Sequence, residues 1–314
     1  MKPKPDHKPS RTSTFRELPA LVFLILAVSA LWRMAPNFGN STNLLTTARD
    51  MAVVGIMGAG MTMVILTSGI DLSVASVLAF SAAVMAKMMV GGAGVVPSVI
   101  AALAVGTLCG MGNALLINQL KIPPIIATLG AMGILRAGVT LYTRAKWIGP
   151  LPRSFDFVGT GYTPVIMLVA VAITGSLLLL RTRPGRYVCA LGGNEEAVRL
   201  SGVSVVRTKF LVYTLNGLLA SVAGLVVASS MSSAQSNMAT GYELNVVAAV
   251  VIGGTSIAGG RGSILGTIIG AAIMAVLYNA LILLGIPIYW HKVITGGVIL
   301  TAVLFDRIRL FGQS

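Results

Sequence analysis

The sequence predicts an all-α polytopic membrane protein with about ten transmembrane helices. Hydrophobic residues make up 55% of the 314 residues and charged residues only 10%, whereas soluble domains typically contain about 25% charged residues. The apolar residues are gathered into successive runs, most of which approach the length that a helix needs to cross a bilayer. Several runs are shorter, so we expect some helices to be broken or re-entrant.

In chain order, the predicted spans cover approximately residues 17–35, 50–67, 72–90, 96–118, 124–142, 163–180, 210–231, 243–258, 263–285 and 292–305. Residues 17–305 therefore form one transmembrane domain, preceded by a basic tail (1–16) and followed by a short tail (306–314). The fourth and ninth spans carry small residues at four-residue spacing, which predicts faces where helix backbones pack closely. These residues are Ala102, Gly106, Gly110 and Ala114, and Gly262, Gly266 and Gly270.

The net charge of +14 is best explained by membrane topology. Aromatic residues do not interleave with the basic ones, as a nucleic-acid-binding surface would require, and the basic residues cluster in the gaps between apolar runs. Placing the N-terminus in the cytoplasm puts most lysines and arginines on the inner side, including those of segment 181–209, in agreement with the positive-inside rule. We therefore expect both termini in the cytoplasm, with the first apolar run retained as a span and not cleaved as a signal peptide.

A four-residue pattern, Gly-x-acid-Leu, occurs twice. Residues 69–72 open the third span and residues 241–244 open the eighth, so the two copies are five spans apart. An odd number of spans per half would orient the halves oppositely in the membrane, as in many transporters. Because four residues also match by chance, a 5+5 inverted repeat remains one of two explanations.

The acids of this pattern, Asp71 and Glu243, are candidate site residues because a carboxylate inside a membrane domain is costly and usually has a role. At a helix start, either carboxylate can accept backbone N–H groups as an N-cap and needs no solute. Alternatively, both acids line a polar passage with hydroxyl and amide side chains that exchange hydrogen bonds with a hydroxylated solute. Each amide can equally join two helices. The candidate passage or architectural residues are Asp71, Ser73, Asn113, Thr128, Asn216, Glu243 and Asn279.

Motifs for catalysis are absent from the sequence. No lysine follows a glycine, so the chain has no phosphate-binding Gly-x-x-x-x-Gly-Lys-Ser/Thr loop. The two histidines, His7 and His291, lack metal-ligand spacing, and no Gly-x-Ser-x-Gly nucleophile motif occurs. We therefore expect no catalytic residue, no metal and no cofactor in this chain.

Segment 181–209 carries both signs of charge and predicts a short amphipathic helix. Gly192 and Gly193 interrupt the chain, Asn194 is a suitable N-cap, and Glu195 and Glu196 fall in the first helical turn. The helix reaches residue 200, and Gly202 ends it. Such a helix is either a plain connector or a segment that docks into a groove of another protein.

Taken together, these motifs resemble the permease subunits of bacterial sugar ATP-binding-cassette importers of the ribose, xylose and galactofuranose type. The matching segments are residues 60–74, 120–130, 192–197 with 200–202, 241–244, 253–255 and 259–263. They run in order through nearly the whole membrane domain but do not identify a sugar. The family usually has glycine where this chain has Ser68, Ala75 and Ala137.

The resemblance implies a multi-pass subunit of the bacterial inner membrane that is not itself an enzyme. It would pair with itself or a sister permease, receive sugar from an extracytoplasmic binding protein, and be driven by a separate cytoplasmic ATPase that binds the ATP. The short helix would then be the coupling helix that contacts the ATPase. The residues assigned to this coupling loop are Gly193, Asn194, Glu195, Glu196, Ala197, Leu200 and Gly202.

The rival hypothesis is an ion-driven secondary transporter of a small polar solute, with Asp71 or Glu243 as the titrating group. An ion-driven carrier has no need of a coupling loop, so the presence of segment 192–202 favours the ATP-driven importer.

Overall fold

A computed structural model describes residues 17–311 of the chain. The predicted tail 1–16 and residues 312–314 lie outside the described residues. Every predicted apolar run contains a helix. The helices are α1 (Leu18–Met34), α2 (Ser41–Leu66), α3 (Val74–Val90), α4 (Val95–Asn118), α5 (Pro124–Thr143), α6 (Thr163–Arg181), α7 (Arg183–Gly193), α8 (Glu195–Leu200), α9 (Val205–Ser230), α10 (Tyr242–Ile252), α11 (Ile264–Leu283) and α12 (Ile288–Phe311), with a 3₁₀ helix at Arg153–Val158.

The chain is a polytopic α-helical membrane protein. Among the described residues, six helices are long and apolar enough to cross a bilayer, namely α2, α4, α5, α6, α9 and α11. Helices α1, α3 and α10 are apolar but shorter.

The centre of the bundle is formed by α2 and α9. Helix α2 is buried continuously from Ala52 to Leu66, and such all-round burial is typical of a core helix. Helix α9 packs against α2, α3 and α4, while α2 also packs against α6, α10 and α11. The arrangement is partly reciprocal, because α4 packs on α9 as α11 packs on α2, and α3 packs on α4 as α10 packs on α11.

The two predicted stripes of small residues are confirmed as close-packing faces. On α4, a β-carbon added to Gly110 would collide with the backbone carbonyl of Tyr213 in α9, and one on Gly106 would collide with that of Gly217. On α11, a β-carbon on Gly266 would collide with the carbonyl of Gly253. Helix backbones approach this closely only where side chains are small.

Helix boundaries differ from the predicted spans at several ends. Helix α2 begins at Ser41, upstream of the predicted start, because the side chain of Asn40 caps it by accepting from the Thr42 N–H at 2.9 Å. Helix α10 ends at Ile252 and not near residue 258, because the chain turns at Gly254 with a φ of +91°. Residues 306–311, predicted as tail, continue α12.

Segment 181–209 contains two helices where one was predicted. The predicted helix is α8. The unpredicted helix, α7, begins after Thr182, whose hydroxyl accepts from the Gly185 N–H at 3.2 Å. Gly192 and Gly193 were expected to interrupt the chain, but they form the last two residues of α7.

The bundle has two distinguishable ends. The α8 end, as we call it, gathers α7, α8 and the link between α10 and α11 (253–263), and Ser263 there donates to Glu17 at the start of α1 at 2.6 Å. The opposite end gathers the links 144–162 and 231–241, which meet through a β-bridge between Ile148 and Ala234. Arg49 of α2 also reaches this end, where it donates to the Gly161 carbonyl at 3.0 Å.

Candidate functional site

Four of the seven predicted polar residues meet around Asp71. The Ser73 backbone N–H and hydroxyl both donate to Asp71 Oδ1, at 2.9 and 2.6 Å. The Asn216 side chain donates to Oδ2 at 2.9 Å. Asn113 Nδ2 lies 3.4 Å from both carboxylate oxygens and donates to Ser73 Oγ at 2.8 Å. We call these four residues the Asp71 cluster.

The Asp71 cluster joins three parts of the bundle. Asp71 and Ser73 lie in the link between α2 and α3, Asn113 lies on α4, and Asn216 lies on α9. All four side chains are buried, and Asp71 is only 1% exposed. Burying a charged group is costly unless hydrogen bonds replace its hydration. The donors around Asp71 provide these hydrogen bonds. The cluster therefore fixes the α2–α3 link against α4 and α9.

Neither acid occupies the N-cap position that was considered for it. The N-cap of α3 is Ser73, two residues after Asp71, and the Asp71 carboxylate accepts from Ser73 itself. The N-cap of α10 is Gly241, and Glu243 lies inside the first helical turn. The two copies of Gly-x-acid-Leu thus meet their helices in different registers. Glu243 Oε2 is buried and has no hydrogen-bond partner within the described part of the chain.

The other two predicted residues lie apart from the Asp71 cluster. The Thr128 hydroxyl of α5 accepts from the Leu72 N–H at 3.2 Å and lies 3.1 Å from the Ile70 carbonyl, so it holds the same link from another side. Asn279 of α11 exchanges two side-chain hydrogen bonds with Asn43 of α2, at 2.7 and 3.0 Å. That amide pair joins α2 to α11 and does not contact Asp71.

Two polar residues near these groups were not among the predicted site residues. Tyr213 is fully buried, and its hydroxyl faces Gly69 in the α2–α3 link, with no hydrogen-bond partner among the residues that the structure describes. Its only sequence signal is its position three residues before Asn216, on the same face of α9. Arg136 lies inside the fifth predicted span, and its side chain donates at 2.7 Å to the carbonyl of Met238, in the link 231–241.

Helix α8 has the predicted capping. The Asn194 side chain accepts from the Ala197 N–H at 2.9 Å, and Gly202 takes a φ of +79° after the helix ends. Val198 is buried against the bundle, while Leu200 is 80% exposed.

One ion pair joins α8 to α9, and a second lies within α8. Glu195 pairs with Lys209 of α9 at 2.8 Å, and Glu196 pairs with Arg199 at 2.6 Å. The hydrogen bond with Glu196 raises the pKa of Arg199, so its guanidinium stays charged at any physiological pH. In the part of the chain that the structure describes, no group of three or more histidine, cysteine, aspartate or glutamate residues could hold a metal ion.

Comparisons with known proteins match most of the chain to transport permeases. Residues 43–303 match the family described as the permease component of the branched-chain amino acid transport system. The ribose import permease protein RbsC of Escherichia coli (strain K12) is 42% identical over 93% of this chain and 94% of the relative. That of Bacillus subtilis (strain 168) is 42% identical over 91% and 90%. The L-arabinose transport system permease protein AraH of Escherichia coli (strain K12) is 36% identical over 91% and 89%. No solved structure matches.

Proposed function

Because the chain belongs to the family of permease components described for branched-chain amino acid transport systems, we propose that it is the permease subunit of an ATP-driven monosaccharide importer in a bacterial inner membrane. The observation that carries the proposal is the 42% identity with ribose import permeases over nearly the full length of both chains. The arabinose permease, at 36% identity, supports a sugar of similar size. ATP would be bound and hydrolysed by a separate ATPase, and an extracytoplasmic protein would deliver the sugar.

We further propose that the chain crosses the membrane about ten times, with the α8 end and both termini in the cytoplasm. The excess of basic residues assigned to that end supports this orientation. The reciprocal packing of α2, α3 and α4 with α9, α10 and α11 supports a 5+5 inverted repeat. Asp71 and Glu243 lie in different registers relative to their helices, so the Gly-x-acid-Leu pattern does not mark the repeat. The outer helices α1 and α6 do not follow the reciprocal packing.

For coupling, we propose that α8 docks into a groove of the ATPase. The exposed Leu200 and the acidic first turn, Glu195 and Glu196, support a docking surface over a plain connector. ATP binding would move the paired ATPases and so displace α8, and the passage between two permease subunits would open alternately to each side. The Asp71 cluster is enclosed within one subunit, so we assign it to the architecture beside the passage and not to sugar contact.

Charge reversal at Glu195 and Glu196 tests the coupling role. We expect Glu195→Lys with Glu196→Lys to insert normally into the membrane but to lose sugar uptake and the stimulation of ATP hydrolysis by the binding protein. Two controls isolate Glu195: Glu195→Lys alone, and Glu195→Lys combined with Lys209→Glu, which restores an ion pair to α9. If that swap rescues uptake, Glu195 acts only in the local fold; if it does not, the outward charge itself is required. Normal uptake in the first variant would contradict the coupling role.

The energy source provides a separate test. We expect uptake to stop when cellular ATP is depleted and to continue when an ionophore collapses the proton gradient at constant ATP. The opposite result would support the ion-driven transporter.

A further inference from the structure

Three segments of backbone meet directly at the α8 end of the molecule. They are the end of α2, the end of α7, and the link between α10 and α11. Five residues form the contact, which we call the glycine junction: Leu66, Ser68, Gly192, Gly259 and Gly260.

The contacts of the glycine junction are made mainly by backbone atoms. The Gly260 N–H donates to the Leu66 carbonyl at 3.0 Å, and the Ser68 hydroxyl donates to the Ala258 carbonyl at 2.9 Å. A β-carbon added to Gly192 would lie within 3.0 Å of both the Leu66 oxygen and the Gly260 nitrogen. No methyl group fits between α7 and the two segments beneath it.

The glycine junction lies where the chain connects α8 to the rest of the bundle. Gly192 comes two residues before Asn194, which caps α8. Leu66 ends α2 and leads through Ser68 into the link that contains Asp71. Gly259 and Gly260 belong to the link between α10 and α11. A displacement of α8 therefore reaches the end of α2 and the α10–α11 link through one contact.

Backbone contacts transmit a displacement better than long side chains do, because they have no rotamers that can absorb it. Close-packed protein interiors are poorly compressible and pass strain onward. Ser68 reinforces the same contact through its hydroxyl, which donates to the 253–263 link. Its φ of +60° is unusual for a residue with a side chain.

We propose that the glycine junction transmits the movement of α8 to the α2–α3 link and to the α10–α11 link, and that Gly192 and Ser68 are positioning residues for coupling. This inference rests on the proposed function, because it takes α8 as the segment that the ATPase moves. The sequence does not show what Gly192 packs against; its assignment to the junction comes from its contacts with Leu66 and Gly260.

Adjacent glycines allow a matched test. Gly192→Ala introduces a methyl group into the junction, whereas Gly193→Ala points into open space, with no atom within 4 Å of the added carbon. Both positions end α7, so both alanines change helix propensity equally. In the full complex reconstituted with its ATPase and binding protein, we expect Gly192→Ala to lower sugar transported per ATP hydrolysed roughly tenfold, in the ordinary range of coupling free energies. We expect Gly193→Ala, whose methyl group lies in the coupling loop but outside the junction, to lower that ratio less than Gly192→Ala does.

Ser68 provides a second, milder perturbation in case Gly192→Ala reduces assembly. Ser68→Ala removes only the hydrogen bond to Ala258, and Ser68→Gly also relieves the positive φ. If the junction transmits movement, both variants lower the transport-to-hydrolysis ratio per assembled complex. If Ser68 matters only for backbone stability, Ser68→Gly instead equals or exceeds wild type in both ratio and thermal stability, which contradicts its positioning role.

The outcomes separate this inference from the proposed function. An unchanged ratio in Gly192→Ala and Ser68→Ala, together with uncoupling by Glu195→Lys and Glu196→Lys, would overturn the glycine junction alone. If the lysine variants leave ATP hydrolysis and uptake unchanged, the proposed role of α8 fails, and with it the premise of the junction.

Discussion

At Asp71, one buried carboxylate accepts hydrogen bonds from its own link and from α9, with α4 close by. Removing it leaves donors on Ser73 and Asn216 without an acceptor. Each buried unsatisfied group costs about 1–3 kcal/mol. We therefore expect Asp71→Ala to lower the free energy of unfolding by about 2–5 kcal/mol, measured as a shift of the denaturation midpoint of the purified subunit in detergent.

Asp71→Asn should be much milder, at about 1–2 kcal/mol. The asparagine oxygen can still accept from Ser73. Its amide group can donate to Asn216 Oδ1 once the Asn216 side-chain amide turns over, since that oxygen has no hydrogen-bond partner among the described residues. Asp50→Asn, at an exposed acid of α2, is the control and should leave the midpoint unchanged. A fully stable Asp71→Asn subunit that assembles but does not transport would show that Asp71 belongs to the passage after all.

Sequence reasoning found the members of the Asp71 cluster by residue type, because polar side chains are rare in apolar spans. It could not pair them, since helical periodicity gives the face of each residue but not the neighbouring helix or the depth. Asn279 has the same residue type as Asn113 and Asn216, yet it pairs with Asn43. Tyr213 was missed because a tyrosine in an apolar run is compatible with several environments.

At the scale of elements, the crossing of α4 and α9 depends on glycine. We expect Gly110→Val to lower the free energy of unfolding by about 1–3 kcal/mol or more, because its side chain would have to displace the backbone of α9. Gly112→Val, two residues along the same helix, has open space and equal helix propensity. Thermal denaturation of both purified variants checks the prediction. Equal midpoints would mean that α4 and α9 do not pack as described.

Helices were predictable from the sequence wherever an apolar run supplied the signal, and α8 was predictable from its capping residues. Helix α7 was not predictable, because two adjacent glycines usually indicate a break in a helix. Gly192 is required there by its packing against Leu66 and Gly260, and the sequence does not show this tertiary contact. The end of α10 was missed for a related reason. The helix ends before the turn at Gly254, and Gly253 packs there against Gly266 of α11. The sequence does not show that tertiary contact.

At the scale of the whole molecule, the proposed inverted repeat makes a prediction about direction. Helix α3 would lead from the cytoplasm outward, while its counterpart α10 would lead inward. The links that precede and follow α10 should then be accessible from opposite faces of the membrane. Helix α10 has only eleven residues, which is too short to span a bilayer by itself.

Single cysteines can test this prediction in a background where Cys109 and Cys189 are replaced by serine. The exposed positions are Ala93 and Thr240 at the opposite end, and Lys121 and Arg261 at the α8 end. A membrane-impermeant thiol reagent should label Ala93→Cys and Thr240→Cys in right-side-out vesicles, and Lys121→Cys and Arg261→Cys in inverted ones. Labelling of Thr240→Cys and Arg261→Cys from the same face would mean that α10 and its following link do not cross, and the 5+5 arrangement would fail while the six long spans remained.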